Sequence, residues 1–292
     1  MIIEKKYTLI TGASAGIGKA MADECAKRGQ NLVLVALQQS ELAETASFLQ
    51  QQYGVDVKAL ELNLTAPHAI QYLYDWCHAQ KLTINVLINN AGIGNYSYFQ
   101  EADLAEYQSM IKLNVGAVVA LTHLFVTKLR ENEESYILNV GSFASLMPLP
   151  YKSVYAATKS FVLTFSRSLQ MELKPYNIHV SCLCPGPTST NSMQKRNQHV
   201  KKGNGILTKT PEEVASSAIA GLFNKQGLII PGWKNRFLIR LGRILPFSIK
   251  SYILKRIFKD GAEDDLDAET HKASSKTESV SLKEEKNSRV GM

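Results

Sequence analysis

The feature that most constrains this chain is its rhythm: short apolar runs recur with helix-length amphipathic stretches between them. The run 32–37, Leu-Val-Leu-Val-Ala-Leu, contains no polar residue. A strand without a polar face is buried on both sides, as in a parallel sheet covered by helices. Comparable signals place strands at 7–10, 55–62, 84–88, 136–140, 178–183 and 228–230. Helical patterns fill the gaps at 17–27, 40–53, 67–80, 104–130, 154–173 and 211–223. Ser40 is the expected cap of the second helix, and Thr210 with Pro211 opens the last. Such alternation predicts an α/β fold, a doubly wound and mostly parallel sheet. With 292 residues, one large domain and an appendage fit the length.

Charge is distributed unevenly. The net charge is +7, yet residues 260–292 carry nine acids and five bases, and 231–259 carry eight bases and no acid. The positive excess is therefore local, which argues against a protein-wide nucleic-acid surface. The four cysteines do not form a disulfide framework in a chain this long. Cys182 and Cys184 alternate within an apolar run and are read as buried thiols on one face of a strand, since no second ligand pair stands at zinc spacing. No metal site is expected. The first residues lack a secretory pattern, and no uncharged apolar span reaches 18 residues, so a transmembrane helix is not expected. These points lead to the expectation of a reducing, cytoplasmic protein.

Two constellations carry chemistry. Gly12-Ala13-Ser14-Ala15-Gly16-Ile17-Gly18 joins the first strand to the first helix. Glycines there let the backbone turn sharply and approach a pyrophosphate, while the helix N-terminus offers oriented N–H groups to the anion. Tyr155 and Lys159 stand four apart on a helix and share a face. A neighbouring ammonium favours the phenolate, so Tyr155 is expected to have a lowered pKa and to exchange a proton with a carbonyl or alcohol oxygen.

The full set of motifs resembles the short-chain dehydrogenase/reductase family over roughly residues 5–231. Thr11-Gly12 through Gly18 matches its TGxxxGIG turn, and Asn89-Asn90-Ala91-Gly92 its NNAG segment. Asn114-Val115-Gly116-Ala117 is similar to its NVxG segment, with the glycine one position early. Gly141-Ser142 precedes Tyr155 as in the family, and Pro185-Gly186 follows the sixth strand. The resemblance implies a Rossmann-type fold and hydride transfer with a nicotinamide dinucleotide. It implies that Tyr155 is the proton donor in reduction and the base in oxidation. Lys159 lowers its pKa and bonds the nicotinamide ribose. Ser142 stabilises the substrate oxygen, and Asn114 holds a water in a proton relay. The implied cofactor-binding set is Gly12, Ser14, Gly16, Ile17 and Gly18, then Asn63, Asn90, Ala91 and Gly92, then Tyr155, Lys159, Pro185, Gly186 and Thr188.

Cofactor preference rests on the end of the second strand. Family members that prefer NAD carry an acid at the position of Ala36, and many that prefer NADP carry arginine at that of Leu37 or Ala15. Here no acid repels a 2′-phosphate, and Ser14, Lys19 and Gln38 are nearby, so NADP(H) is expected over NAD(H). Asn63 stands where the family has an aspartate near the adenine; its amide is expected to bond the adenine amino group.

The segments beyond the core complete the expectation. Residues 186–205 form a polar stretch suited to a substrate loop. Residues 232–259 form two basic amphipathic helices broken at Pro246. Trp233, Phe237, Leu238, Leu241, Ile244 and Leu245 line one face of the first helix, and Phe247, Ile253, Leu254, Ile257 and Phe258 that of the second. Such helices suit an anionic membrane surface, a lid over an apolar pocket, or an interface in a homo-oligomer. Residues 260–292 are expected to be a disordered polar tail. The leading function is an oxidoreductase that interconverts a ketone and a secondary alcohol on a small lipophilic substrate. Its alternatives are a 3-oxoacyl-thioester reductase of fatty-acid metabolism and a non-catalytic nucleotide-binding or membrane-associated scaffold.

Overall fold

The computed structural model of the protein describes residues 5–37, 41–189 and 208–244, with 246, 248, 249, 251, 252 and 256. Ser40 and Gln38, most of the 186–205 loop, most of the second basic helix and the 260–292 tail lie outside the described residues.

Seven strands, β1 (Lys6–Thr11), β2 (Asn31–Ala36), β3 (Val57–Glu61), β4 (Thr83–Asn89), β5 (Ser135–Val140), β6 (Ile178–Leu183) and β7 (Leu228–Ile229), form one sheet. Their order is β3-β2-β1-β4-β5-β6-β7, and every pairing is parallel. Each expected strand is present, with ends shifted by a residue or two. The helices are α1 (Gly16–Lys27), α2 (Leu42–Tyr53), α3 (Ala69–Ala79), α4 (Leu104–Ile111), α5 (Val118–Leu129), α6 (Ser153–Leu173), α7 (Pro211–Phe223) and α8 (Trp233–Ile244).

The unbroken apolar runs are explained by two layers. Ile10, Leu32, Leu34, Val86, Ile88 and Leu138 face α1, α2 and α7. Their alternate neighbours Leu9, Val33, Val35, Leu87 and Ile137 face α3, α5 and the end of α6. Each such side chain contributes about 1.5–3 kcal/mol by leaving water. The start of α7 follows its sequence signals: Thr210 Oγ1 accepts from Glu213 N, and Glu213 returns a bond to Thr210 N at 3.1 Å. The helical zone expected over 104–130 is present, with residues Lys112–Ala117 forming a wide π turn between α4 and α5. The run Leu104–Leu129 is long and apolar enough to cross a bilayer by composition. Leu121, Phe125 and Leu129 are nevertheless buried against the sheet, so it is a core helix.

Strand order reverses between β1 and β4, so their carboxyl ends diverge into a crevice. Ligands bind at this point in open α/β sheets.

Candidate active site

The glycine turn and the Asn90 segment meet in that crevice. Thr11 Oγ1 accepts from Asn90 N (3.0 Å) and Ala91 N (3.1 Å), and donates to Ile88 O. Asn90 Nδ2 donates to Thr11 O (2.8 Å) and Gly12 O (3.1 Å). Asn90 therefore ties the turn to β4, and both of its amide hydrogens are spent there. Gly12 and Gly16 adopt φ of +66° and +54°, a conformation that favours glycine. A Cβ on Gly18 would lie 2.0 Å from Gly12 O, so the turn can close only around a hydrogen. No side chain caps α1 and no acid stands in its first turn. Among the described residues its first N–H groups have no side-chain partner, and with the helix dipole they offer positive charge to an anion. This arrangement fits the pyrophosphate of a dinucleotide, with Ser14 and Ile17 partly exposed at its rim.

The adenosine side is defined less fully. Ala36 is buried at the end of β2, and Leu37 beyond it is exposed. Lys19 is engaged with Glu41 at 3.4 Å on the surface. Asn63 Oδ1 already accepts from Thr65 N (3.0 Å) and Thr65 Oγ1 (2.8 Å). These bonds fix the side chain at the start of the turn after β3, where its amide nitrogen remains a donor.

The second constellation lies at the ends of β5 and β6. Ser142 opens a short turn, Phe143–Ser145, by accepting from Ala144 N (3.1 Å), while Ser142 N donates to Ser145 Oγ (3.0 Å). Its hydroxyl also lies near enough to the Tyr155 phenol to pull that phenol's pKa down, so it does more than cap a strand end. Lys159 is buried and donates from Nζ to Val140 O at 2.8 Å. That Nζ lies 6.0 Å from the centre of the Tyr155 ring. Phe143 N donates to Pro185 O (2.8 Å), which joins the serine turn to the Pro-Gly turn after β6. Thr188 is buried, and its Oγ1 donates to Gly186 O at 3.1 Å.

The electrostatics differ from the expectation that Lys159 dominates Tyr155. Burial pushes the Tyr155 phenol up from its ordinary value, and the bond from Ser142 pulls it back only in part. Burial also brings Lys159 down to about 8. Both groups are starved of water, so each favours its neutral form.

Asn114 is fully buried within the π turn. Its Oδ1 accepts from Ile93 N (2.9 Å), and Nδ2 donates to Ile93 O (2.8 Å) and Thr158 Oγ1 (3.1 Å). It thus grips the loop after Asn90-Ala91-Gly92 and fixes it to α6. A Cβ on Gly92 would stand 3.1 Å from both Asn114 Oδ1 and Lys159 Nζ.

Several participants escaped the sequence reading. A Cβ on Gly94 would lie 2.7 Å from the Tyr155 ring, so the ring packs directly on bare backbone. Cys182 and Cys184 are buried thiols on one strand face, as expected, but they also floor the site. Their sulfurs are 3.9 Å apart, and each is 3.2 Å from where a Gly141 Cβ would stand. Asn235 of α8 is buried against Gly186, and its Nδ2 bonds Pro231 O at 3.0 Å. Among these, only the two cysteines had stood out in the sequence, by their spacing.

The comparisons agree with this geometry. The family model described as short chain dehydrogenase matches residues 6–201. Human 17-beta-hydroxysteroid dehydrogenase type 3 is 33% identical over 217 residues, covering 73% of this chain and 67% of that protein. The very-long-chain 3-oxoacyl-CoA reductase of Anas platyrhynchos is 32% identical over 262 residues, covering 87% and 80%. A short-chain dehydrogenase from Sphingobium yanoikuyae, solved in complex with NADPH, superposes with a TM-score of 0.73 at 30% identity, covering 82% of this chain and 93% of that one. The motifs, the parallel sheet and these matches lead to one conclusion: the chain belongs to the short-chain dehydrogenase family.

Proposed function

We propose that the protein reduces a ketone on a lipophilic substrate to a secondary alcohol, or runs the reverse oxidation, with Tyr155 as the group that gives or takes the proton. A bound nicotinamide dinucleotide supplies or accepts the hydride. The single observation that carries the reading is the joint geometry of Ser142, Tyr155 and Lys159 at the carboxyl edge of the sheet.

In reduction, the substrate carbonyl oxygen sits against the hydroxyls of Ser142 and Tyr155. Its carbon gains the hydride, and the oxygen takes the Tyr155 proton. Burial keeps that phenol protonated at neutral pH, which suits a donor. As the proton leaves, negative charge grows near the Lys159 ammonium and is stabilised by it. Ser142 keeps one hydrogen bond on the same oxygen and limits charge build-up there. Both amide hydrogens of Asn114 are engaged, so a water relay through Asn114 would be held by its oxygen atoms.

NADP(H) is favoured over NAD(H), because Ala36 offers no carboxylate to a ribose diol and no repulsion to a phosphate. Solved relatives carry NADPH or NADH, so the preference rests on Ala36. Steroid dehydrogenase and very-long-chain acyl reductase relatives support a lipophilic substrate.

A membrane surface is favoured over a lid for α8. Among its described side chains Asn235 and Ile239 face inward, whereas Trp233 and Phe237 are 68% and 63% exposed, with Lys234 and Arg236 exposed beside them. A lid would hide the two aromatics. Basic groups around exposed aromatics suit an anionic leaflet.

The test is cofactor oxidation against a panel of lipophilic ketones with the wild type and Tyr155→Phe. The variant keeps the ring and loses the transferable proton, so turnover falls by about 10²–10⁴ while cofactor binding persists. Near wild-type turnover in the variant would remove Tyr155 from the mechanism.

A further inference from the structure

Two loops meet beside Tyr155. Ser97 N donates to Tyr151 O at 3.0 Å, joining the loop after Gly92 to the loop before α6. The Tyr151 ring lies 5.0 Å from that of Tyr98 and 6.1 Å from that of Tyr96. Tyr151 itself has φ +61°, a left-handed conformation that is costly for a bulky residue and is found where surrounding contacts impose it. The same loop keeps two buried polar atoms without partners among the described residues, Asn95 Nδ2 and Ser97 Oγ. Such a cost fits a loop shaped to meet a polar ligand.

Lys152 stands within this wall. Its Nζ is 4.9 Å from the centre of the Tyr96 ring and 6.0 Å from that of Tyr155. Lys159 is also 6.0 Å from the Tyr155 ring. Two ammonium groups therefore flank one phenol at equal range. Lys159 is buried and bonded to Val140 O, whereas Lys152 is partly exposed at the N-terminal end of α6. The inner cation belongs to the machinery already described. The outer one is positioned to meet the substrate.

We propose that Lys152 determines specificity by donating a hydrogen bond to a second carbonyl oxygen, so that the site prefers 3-oxoacyl thioesters to isolated ketones. This rests on the reading of Tyr155 as proton donor to the ketone. In a 3-oxoacyl group one methylene separates the two carbonyl carbons, and ordinary bond lengths put the oxygens roughly 3–5 Å apart. With the keto oxygen on Tyr155 and Ser142, the thioester oxygen comes within reach of an ammonium beside that ring. An isolated ketone offers no second oxygen for that bond. Preference for the thioester then comes from one bond that the isolated ketone cannot make.

The experiment uses the full chain with NADPH and NADH and two substrates. One is S-(3-oxodecanoyl)-N-acetylcysteamine; the other is an alkyl ketone of equal length without the thioester carbonyl. In Lys152→Met, kcat/KM for the thioester falls about 10- to 100-fold, the worth of one charged hydrogen bond, while the alkyl ketone is unaffected. Lys152→Arg restores most of the thioester activity. The unaffected ketone also serves as the control for folding. Equal loss on both substrates would mean that Lys152 acts on Tyr155 or on the fold, and loss on neither would mean that it does not touch the substrate; each overturns the inference. A wild type that reduces only the alkyl ketone overturns it too, leaving the ketone-reductase reading intact. A wild type that reduces neither ketone removes that reading, and this inference with it.

Discussion

Replacing Lys159 by methionine should stabilise the fold at pH 7 while abolishing turnover. Burial brings Lys159 from an ordinary value of 10.5 down to about 8. That drop means the folded chain disfavours the charged lysine by about 3 kcal/mol relative to the unfolded chain. Below pH 8 both states carry the proton, and the penalty is fully present. Between 8 and 10.5 the folded chain has released the proton while the unfolded chain still binds it, so wild-type stability rises with pH. Above 10.5 the penalty is gone. Methionine has a similar reach and no charge, so it removes the penalty at neutral pH. It also leaves the Val140 carbonyl without its 2.8 Å donor, at a cost of about 1 kcal/mol. The net gain is about 2 kcal/mol at pH 7, or roughly 4–8 °C in Tm for a chain of this size. Guanidinium denaturation of both proteins at pH 7 and near pH 10 checks this, since the gap must shrink or reverse as the wild type loses its buried charge. A variant less stable than the wild type at pH 7, or a gap that ignores pH, would show that the ammonium is not a strained group. The reasoning would then fail.

Three further outcomes are expected. Gly94→Ala puts a methyl 2.7 Å from the Tyr155 ring, so steady-state assays should show kcat falling by about 10-fold or more, as misplacement of a proton donor predicts; calorimetry should show cofactor affinity unchanged. Titration of the wild type with NADPH and NADH should give the tighter constant for NADPH; a clear preference for NADH would show that the missing acid at Ala36 was misread. The wild type should sediment with anionic vesicles at low salt and release as salt rises, and Trp233→Ser combined with Phe237→Ser should weaken that binding without altering Tm, since both side chains are exposed. A wild type that stays in the supernatant at low salt would return α8 to the lid or interface reading.

Local rules made much of the architecture readable from the residues. The run 32–37 announced a strand buried on both faces, and Leu32 with Leu34 and Val33 with Val35 do enter opposite layers. Thr210 and Pro211 announced the start of α7 because capping is satisfied within four residues. The glycine turn announced an anion cradle because only a residue without Cβ tolerates the close approach of Gly18 to Gly12 O. The spacing of Tyr155 and Lys159 put them on one helical face, and the resemblance to a family supplied their roles.

What the residues alone determined was identity and order: which segments are strands, which groups can hold a phosphate, and which side chains can move a proton. Tertiary structure decided how those groups behave. The direction of the Tyr155 shift could not be read from its spacing to Lys159, because it depends on how much water the surrounding elements exclude, and Ser142 offsets that desolvation only in part. The π turn at Asn114 follows from the grip of its amide on Ile93 and Thr158, residues far away in sequence. The outward face of α8 was likewise set by which side chain found Gly186 to pack against, and it was Asn235 rather than Trp233. Helical periodicity fixes which residues share a face, but only the surface that a helix meets decides which face is buried.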